Sequence, residues 1–160
     1  MTLVLNLFRH HRWANATLID ALGALPPEDL QRRAPGGFGT IHETLYHYVM
    51  NESRFIDALN SRDTSFGEMP SELPACQDLR AIAETNAQEL LRMAAMLTEA
   101  DRVEGNMQGR RYDLPAYVPL FQCYLHAAEH RTNITTILAT YDLPAPNVDF
   151  WGYLAAGEPA

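Results

Sequence analysis

The chain has 160 residues, 47% hydrophobic and 20% charged, which is enough for one globular domain burying roughly 70% of its unfolded surface. Its net charge of −8 repels a phosphate backbone, and no basic run offsets that charge, which argues against nucleic acid as a partner. The apolar opening, Met1 to Leu7, lacks a preceding positive region and runs straight into Arg9-His10-His11-Arg12; it is not read as an export signal, and no stretch approaches the length of a membrane span. Two distant cysteines, Cys76 and Cys123, in no metal or redox spacing, predict reduced thiols and a cytoplasmic location.

Leu3 to Leu25 reads as the first helix, with Val4, Phe8, His11, Asn15, Leu18 and Leu22 on one face. Two polar residues, His11 and Asn15, thus interrupt an apolar stripe. Pro26-Pro27 ends the helix, Pro27 to Leu30 is long enough for one short turn, and Pro35 to Gly39 is a loop. Thr40-Ile41-His42-Glu43 forms a capping box opening a second helix that runs to about Leu59. Its stripe is Ile41, Leu45, Tyr48, Val49, Phe55, Ile56 and Leu59, and Glu52 lies near the middle of it, which predicts a partly buried carboxylate. Asn60 to Pro74 is a loop.

The third helix spans Asp78 to about Ala100, with Asn86 on its apolar face. Asp101 to Tyr117 reads as an irregular connection with room for a short hairpin. The fourth helix is expected to start with Pro119 at its first position and to run to about Tyr141, stopped by Leu143-Pro144-Ala145-Pro146. The tail from Asn147 to Ala160 carries Phe150, Trp151 and Tyr153, aromatics that predict packing back on the body. Four long amphipathic helices make this an all-α chain: a four-helix bundle with long connections, in a single domain over residues 1–160.

The chemistry concentrates in the fourth helix, where His126 and His130 stand four residues apart. At about 100° per residue such a pair shares one face and can reach one metal ion. Cys123, Ala127, Ile134 and Ile137 fall on the same side, so both imidazoles sit in an apolar stripe, where each needs a metal or a hydrogen-bond partner. His42 and His47 are five apart; the intervening rotation of about 140° prevents them from sharing a metal on one helix. His47 remains a candidate third ligand, although it lies well off the main stripe of its helix. That placement requires either a second contacted side on helix two or a site at the edge of the bundle. Cys123 reads as a small core residue, His10 as a solvated histidine, and Arg110-Arg111 as a surface pair in a loop.

His10-His11-Arg12-Trp13-Ala14-Asn15 in helix one, Leu45-Tyr46-His47 in helix two, Leu125-His126-Ala127-Ala128-Glu129-His130-Arg131 in helix four, and the ending from Leu143-Pro144 to Asp149-Phe150 together resemble the DinB and YfiT-like family. The resemblance covers nearly the whole chain. It implies a four-helix bundle in which His47, His126 and His130 hold a divalent metal, zinc or nickel, in a homodimer. Characterised members include thiol S-transferases acting with low-molecular-weight thiols. Glu129 stands where many members have another histidine, and Thr132-Asn133 replaces a usual Gly-Gln; both departures bear on substrate and dimer contacts rather than on ligation.

Three imidazoles and an open position are the pattern of a catalytic rather than a structural metal. The expectation is therefore a metal-dependent thiol transferase or hydrolase with a small-molecule substrate. His11, Asn15 and Glu52 point inward as candidates for orienting the ligands, or as a buried polar network that sets helix register. The alternative is a non-catalytic metal-binding or dimerisation module.

Overall fold

The computed structural model describes residues 2–65 and 67–157. Its long helices are α1 (Thr2–Gly23), α2 (Ile41–Leu59), α3 (Cys76–Met96) and α4 (Tyr117–Thr140), with a short α5 (Phe150–Ala155). A 3-10 turn at Asp29–Gln31 follows the Pro26-Pro27 break. Between α3 and α4, strands β1 (Arg102–Met107) and β2 (Arg110–Pro115) pair antiparallel, so the connection is the hairpin that its length allowed. Gln108 and Gly109 both take positive φ at its turn, which a right-twisted two-residue hairpin requires.

Helix ends follow local chemistry. At α2, Thr40 Oγ1 accepts from the Glu43 amide at 3.1 Å and Glu43 accepts from the Thr40 amide at 2.7 Å, the expected reciprocal cap. A Cβ on Gly39 would lie 2.7 Å from Glu43 Oε2, so a larger residue there would displace the carboxylate that closes the cap. α4 departs from expectation: it begins at Tyr117, which puts Pro119 third. The first turn has unpaired N–H groups in any case, so proline costs little there. α3 likewise starts earlier than Asp78 and stops at Met96.

α1 packs chiefly on α3 and α2 on α4. The ion pairs Arg12–Glu84 (2.7 Å) and Arg80–Asp20 (3.3 Å) run α3 antiparallel to α1. One apolar cluster joins Leu18 and Leu22 of α1 to Ile41, Leu45, Leu79, Ile134 and Leu138. The other joins Phe8 to Ile56, Leu59, Leu90, Leu120 and Cys123. The start of α2 therefore meets the end of α4, and α2 and α3 run the same way, which is why the connection over 60–75 must return along the bundle.

The tail docks through α5. His10 stacks on Phe150 at 3.9 Å between ring centroids and meets Tyr153 edge-on, while its Nε2–H donates to the Val148 carbonyl at 3.0 Å. His10 is thus buried and partnered rather than solvated; the docked tail, invisible to helical periodicity, covers it. Trp151 points outward at 77% exposure. The expected single domain and tail extend to residues 1, 66 and 158–160, which lie outside the described residues. Among the described residues no helix is long and apolar enough to cross a membrane.

Candidate metal centre

His47, His126 and His130 meet between α2 and α4. His126 Nε2 lies 3.2 Å from His47 Nε2 and 3.1 Å from His130 Nε2. All three donor atoms fall within 4.8 Å of one another. The off-stripe position of His47 is explained by where the site sits. α2 is gripped on one side by α3 and on another by α4, and the histidines line the outer edge of the second contact. His47 and His126 are half-buried, His130 buried.

The rings are braced by neighbours that sequence periodicity did not tie to the site. Phe38, 47% exposed, stacks on His47 with centroids 3.9 Å apart and meets His130 edge-on. Phe55 meets His126 edge-on. The Asn51 Nδ2 lies 3.0 Å from His47 Nε2, and the Asn51 Oδ1 accepts from Arg54 Nη1 at 2.6 Å. Asn51 and Arg54 follow His47 by four and seven residues, so same-face spacing on α2 could have found them. Phe38 sits in a loop and left no such signal.

Burial, then the positive fields of His130, His126 and Arg54, holds the pKa of His47 down to about 4. Burial and His126 bring His130 to about 4 against the opposing field of Glu129. His126 is lowered by burial, with Glu129 and Glu52 opposing. At neutral pH three uncharged imidazoles therefore present nitrogen lone pairs to one point. His126 Nδ1 and His130 Nδ1 are buried without a protein partner, which leaves the Nε2 atoms as the converging donors. This donor set fits a borderline divalent ion such as zinc or nickel.

Behind the histidines lies a buried polar layer between the two apolar clusters. Glu52 Oε1 accepts from His11 Nε2 at 2.9 Å and from Asn15 Nδ2 at 2.8 Å. Arg131 Nη1 donates to Asn15 Oδ1 at 2.7 Å and approaches His11 Nδ1 at 3.4 Å. The structure thus places His11, Asn15 and Glu52 inside the bundle, joined to one another and not hydrogen-bonded to the three converging histidines. Arg131, the residue that completes the layer, entered the sequence analysis only as the last residue of the motif from Leu125 to Arg131. Cys123 is buried in the apolar core, and burial raises its thiol pKa well above the ordinary value, so it stays protonated. His42 donates to the Pro74 carbonyl at 2.8 Å, away from the site. Arg110 and Arg111 are exposed on β2.

A helical bundle with three converging imidazoles is an arrangement that could hold a divalent ion. The family model for the DinB family matches residues 1–159, and the chain belongs to that family. The fold is similar to the crystal structure of a DinB-like protein from Bacillus cereus, at a TM-score of 0.63 and 17% identity, covering 88% of this chain and 91% of that one. A search of curated proteins finds no match.

Proposed function

We propose that the protein is a divalent-metal enzyme of thiol-transfer or hydrolytic type, with His47, His126 and His130 as its ligands. The observation that carries this reading is the convergence of three Nε2 atoms, on imidazoles held neutral, of which His47 and His126 are only half-buried. A divalent ion held by three imidazoles keeps an open position, where it lowers the pKa of a bound water or thiol and polarises a substrate. Phe38 and Phe55 shield the imidazoles from water on two sides. Asn51 steadies the His47 ring, itself anchored by Arg54. The Cys123 thiol is not the nucleophile in this reading, because it is fully buried and burial, followed by the field of Glu52, raises its pKa and keeps it protonated, although His11 and Glu52 lie within 4.8 Å of it. A low-molecular-weight thiol is the small-molecule substrate that family resemblance favours.

The test is metal analysis of tag-free protein followed by thiol-transfer, esterase and amidase assays with and without a chelator. Thiol transfer that survives complete chelation overturns the metal reading. Stoichiometric metal without turnover on any substrate class leaves the non-catalytic module. One observation favours an assembly role alongside catalysis: Tyr117, Val118, Phe121 and Leu125 expose apolar side chains along α4, leading towards His126. A second copy covering them gives the homodimer, and light scattering that finds only an 18 kDa species at micromolar concentration rejects it.

A further inference from the structure

We infer that the cleft between α4 and the docked tail binds a free amino acid, with its carboxylate on Arg131 and its ammonium group towards Asp149. This site is separate from the metal-dependent reading and does not rest on it. At about 100° per residue Tyr124, Ala128, Arg131 and Thr132 share one face of α4, nearly opposite His126 and His130. Together with His10 and the tail from Val148 to Phe150 they line a cleft of about 260 Å³, which suits a ligand smaller than drug-sized molecules.

Arg131 is a buried cation with donors to spare. It is 3% exposed. Its Nη1 donates to Asn15 Oδ1 at 2.7 Å and approaches His11 Nδ1 at 3.4 Å. Glu52 is reached only through those two side chains, and Arg131 makes no ion pair of its own among the described residues. Its Nε and Nη2 take no protein acceptor there either, yet neither is sealed from solvent, which places them at the cleft that Arg131 lines. These two nitrogens form an edge of the planar fork that takes a carboxylate bidentately.

The other side-chain donors of the cleft are engaged inside the protein. The Tyr124 hydroxyl donates to His10 Nδ1 at 3.3 Å, His10 Nε2–H to the Val148 carbonyl at 3.0 Å, and the Thr132 hydroxyl to the Ala128 carbonyl at 3.0 Å. A ligand carboxylate therefore finds its side-chain donors on Arg131. Asp149 supplies the opposite charge. Its Oδ1 accepts from the Gly152 amide at 2.7 Å and caps α5, while Oδ2 has no hydrogen-bond partner among the described residues. Arg131 and Asp149 line one cleft without pairing, so a molecule with a carboxylate at one end and an ammonium at the other bridges them. A chain of net charge −8, with Asp149 at the cleft, repels a plain anion, whereas an amino acid carries no net charge. The Phe150 ring, stacked on His10, offers an apolar wall to a small side chain.

The experiment is isothermal titration of the protein with L-alanine, L-alaninamide and propionate. Because Arg131 also holds the buried polar layer together, its contact is probed by changing the ligand and not the arginine. L-Alanine is expected to bind about tenfold or more tightly than L-alaninamide, which lacks the carboxylate, and than propionate, which lacks the ammonium; each comparison removes one charge-assisted contact. D149N keeps the α5 cap, since asparagine caps as well as aspartate, and should bring L-alanine down to the affinity of propionate. A128L fills the cleft with a good helix former and should abolish binding. No isotherm for L-alanine at millimolar concentration, or equal affinity for the three ligands, overturns the inference. L-Alanine binding that A128L leaves unchanged lies elsewhere, a metal included, and overturns it as well. An undiminished preference of D149N for L-alanine over propionate overturns the assignment of the ammonium to Asp149.

Discussion

Replacing Arg131 with methionine isolates the energetics of the buried polar layer. Arg131 on α4 is 3% exposed and Glu52 on α2 is 0% exposed; they are linked through Asn15 and His11 of α1 at 2.7, 2.8 and 2.9 Å. Methionine keeps most of the volume but strips Glu52 of its countercharge and leaves Asn15 Oδ1 without a donor. Breaking a buried pair from one side costs about 3–5 kcal/mol, because the surviving charge has neither water nor a partner. For a chain of this length each kcal/mol moves the midpoint by about 2–4 °C, so R131M should melt about 6–20 °C below wild type. Removing both charges, in R131M with E52Q, should recover a large part of the loss, since a neutral layer of similar shape carries no unpaired ion. Urea unfolding followed by tryptophan fluorescence measures the four corners of the cycle. Simple additivity of the two single costs, or an R131M cost below about 1 kcal/mol, refutes the claim that these charges are coupled through α1.

His126→Ala should abolish metal binding while far-ultraviolet circular dichroism stays unchanged, because alanine is the best helix former; retained stoichiometric metal counts against the ligand set. Cys123→Ala should leave metal content and any thiol-transfer rate within about twofold, at a stability cost of about 1 kcal/mol for the small cavity; complete loss of turnover would instead assign the chemistry to that sulfur. His10 provides the acid sensitivity of the docked tail. Burial lowers its pKa below the ordinary value, the Val148 hydrogen bond opposes, and the Arg131 and His11 fields add to the lowering. The folded state then binds fewer protons than the unfolded one. Its contribution is complete above about pH 6.5 and is lost as pH falls towards the lowered folded value. H10F should remove that part of the pH dependence of stability between about pH 7 and 5; a wild-type-minus-variant difference that is flat across this range rejects the linkage.

The sequence by itself determined the helices and the identity of the converging histidines. Period-3.6 burial along Leu18, Leu22, Leu45, Val49, Ile134 and Ile137 is a local property, and the Thr40–Glu43 cap is written in four consecutive residues. His126 and His130 announce a shared face by spacing alone, and family resemblance supplied His47. Tertiary structure decided what depends on two elements meeting. The off-stripe His47 became intelligible only when α4 was seen to grip a second side of α2. Phe38 reaches the site from a loop, where no periodicity marks it. His10 could not be told from a surface histidine until the tail lay over it. Arg131 became the countercharge of Glu52 only through helix α1, because the pairing of buried charges is a property of the packed bundle and no single helix carries both members.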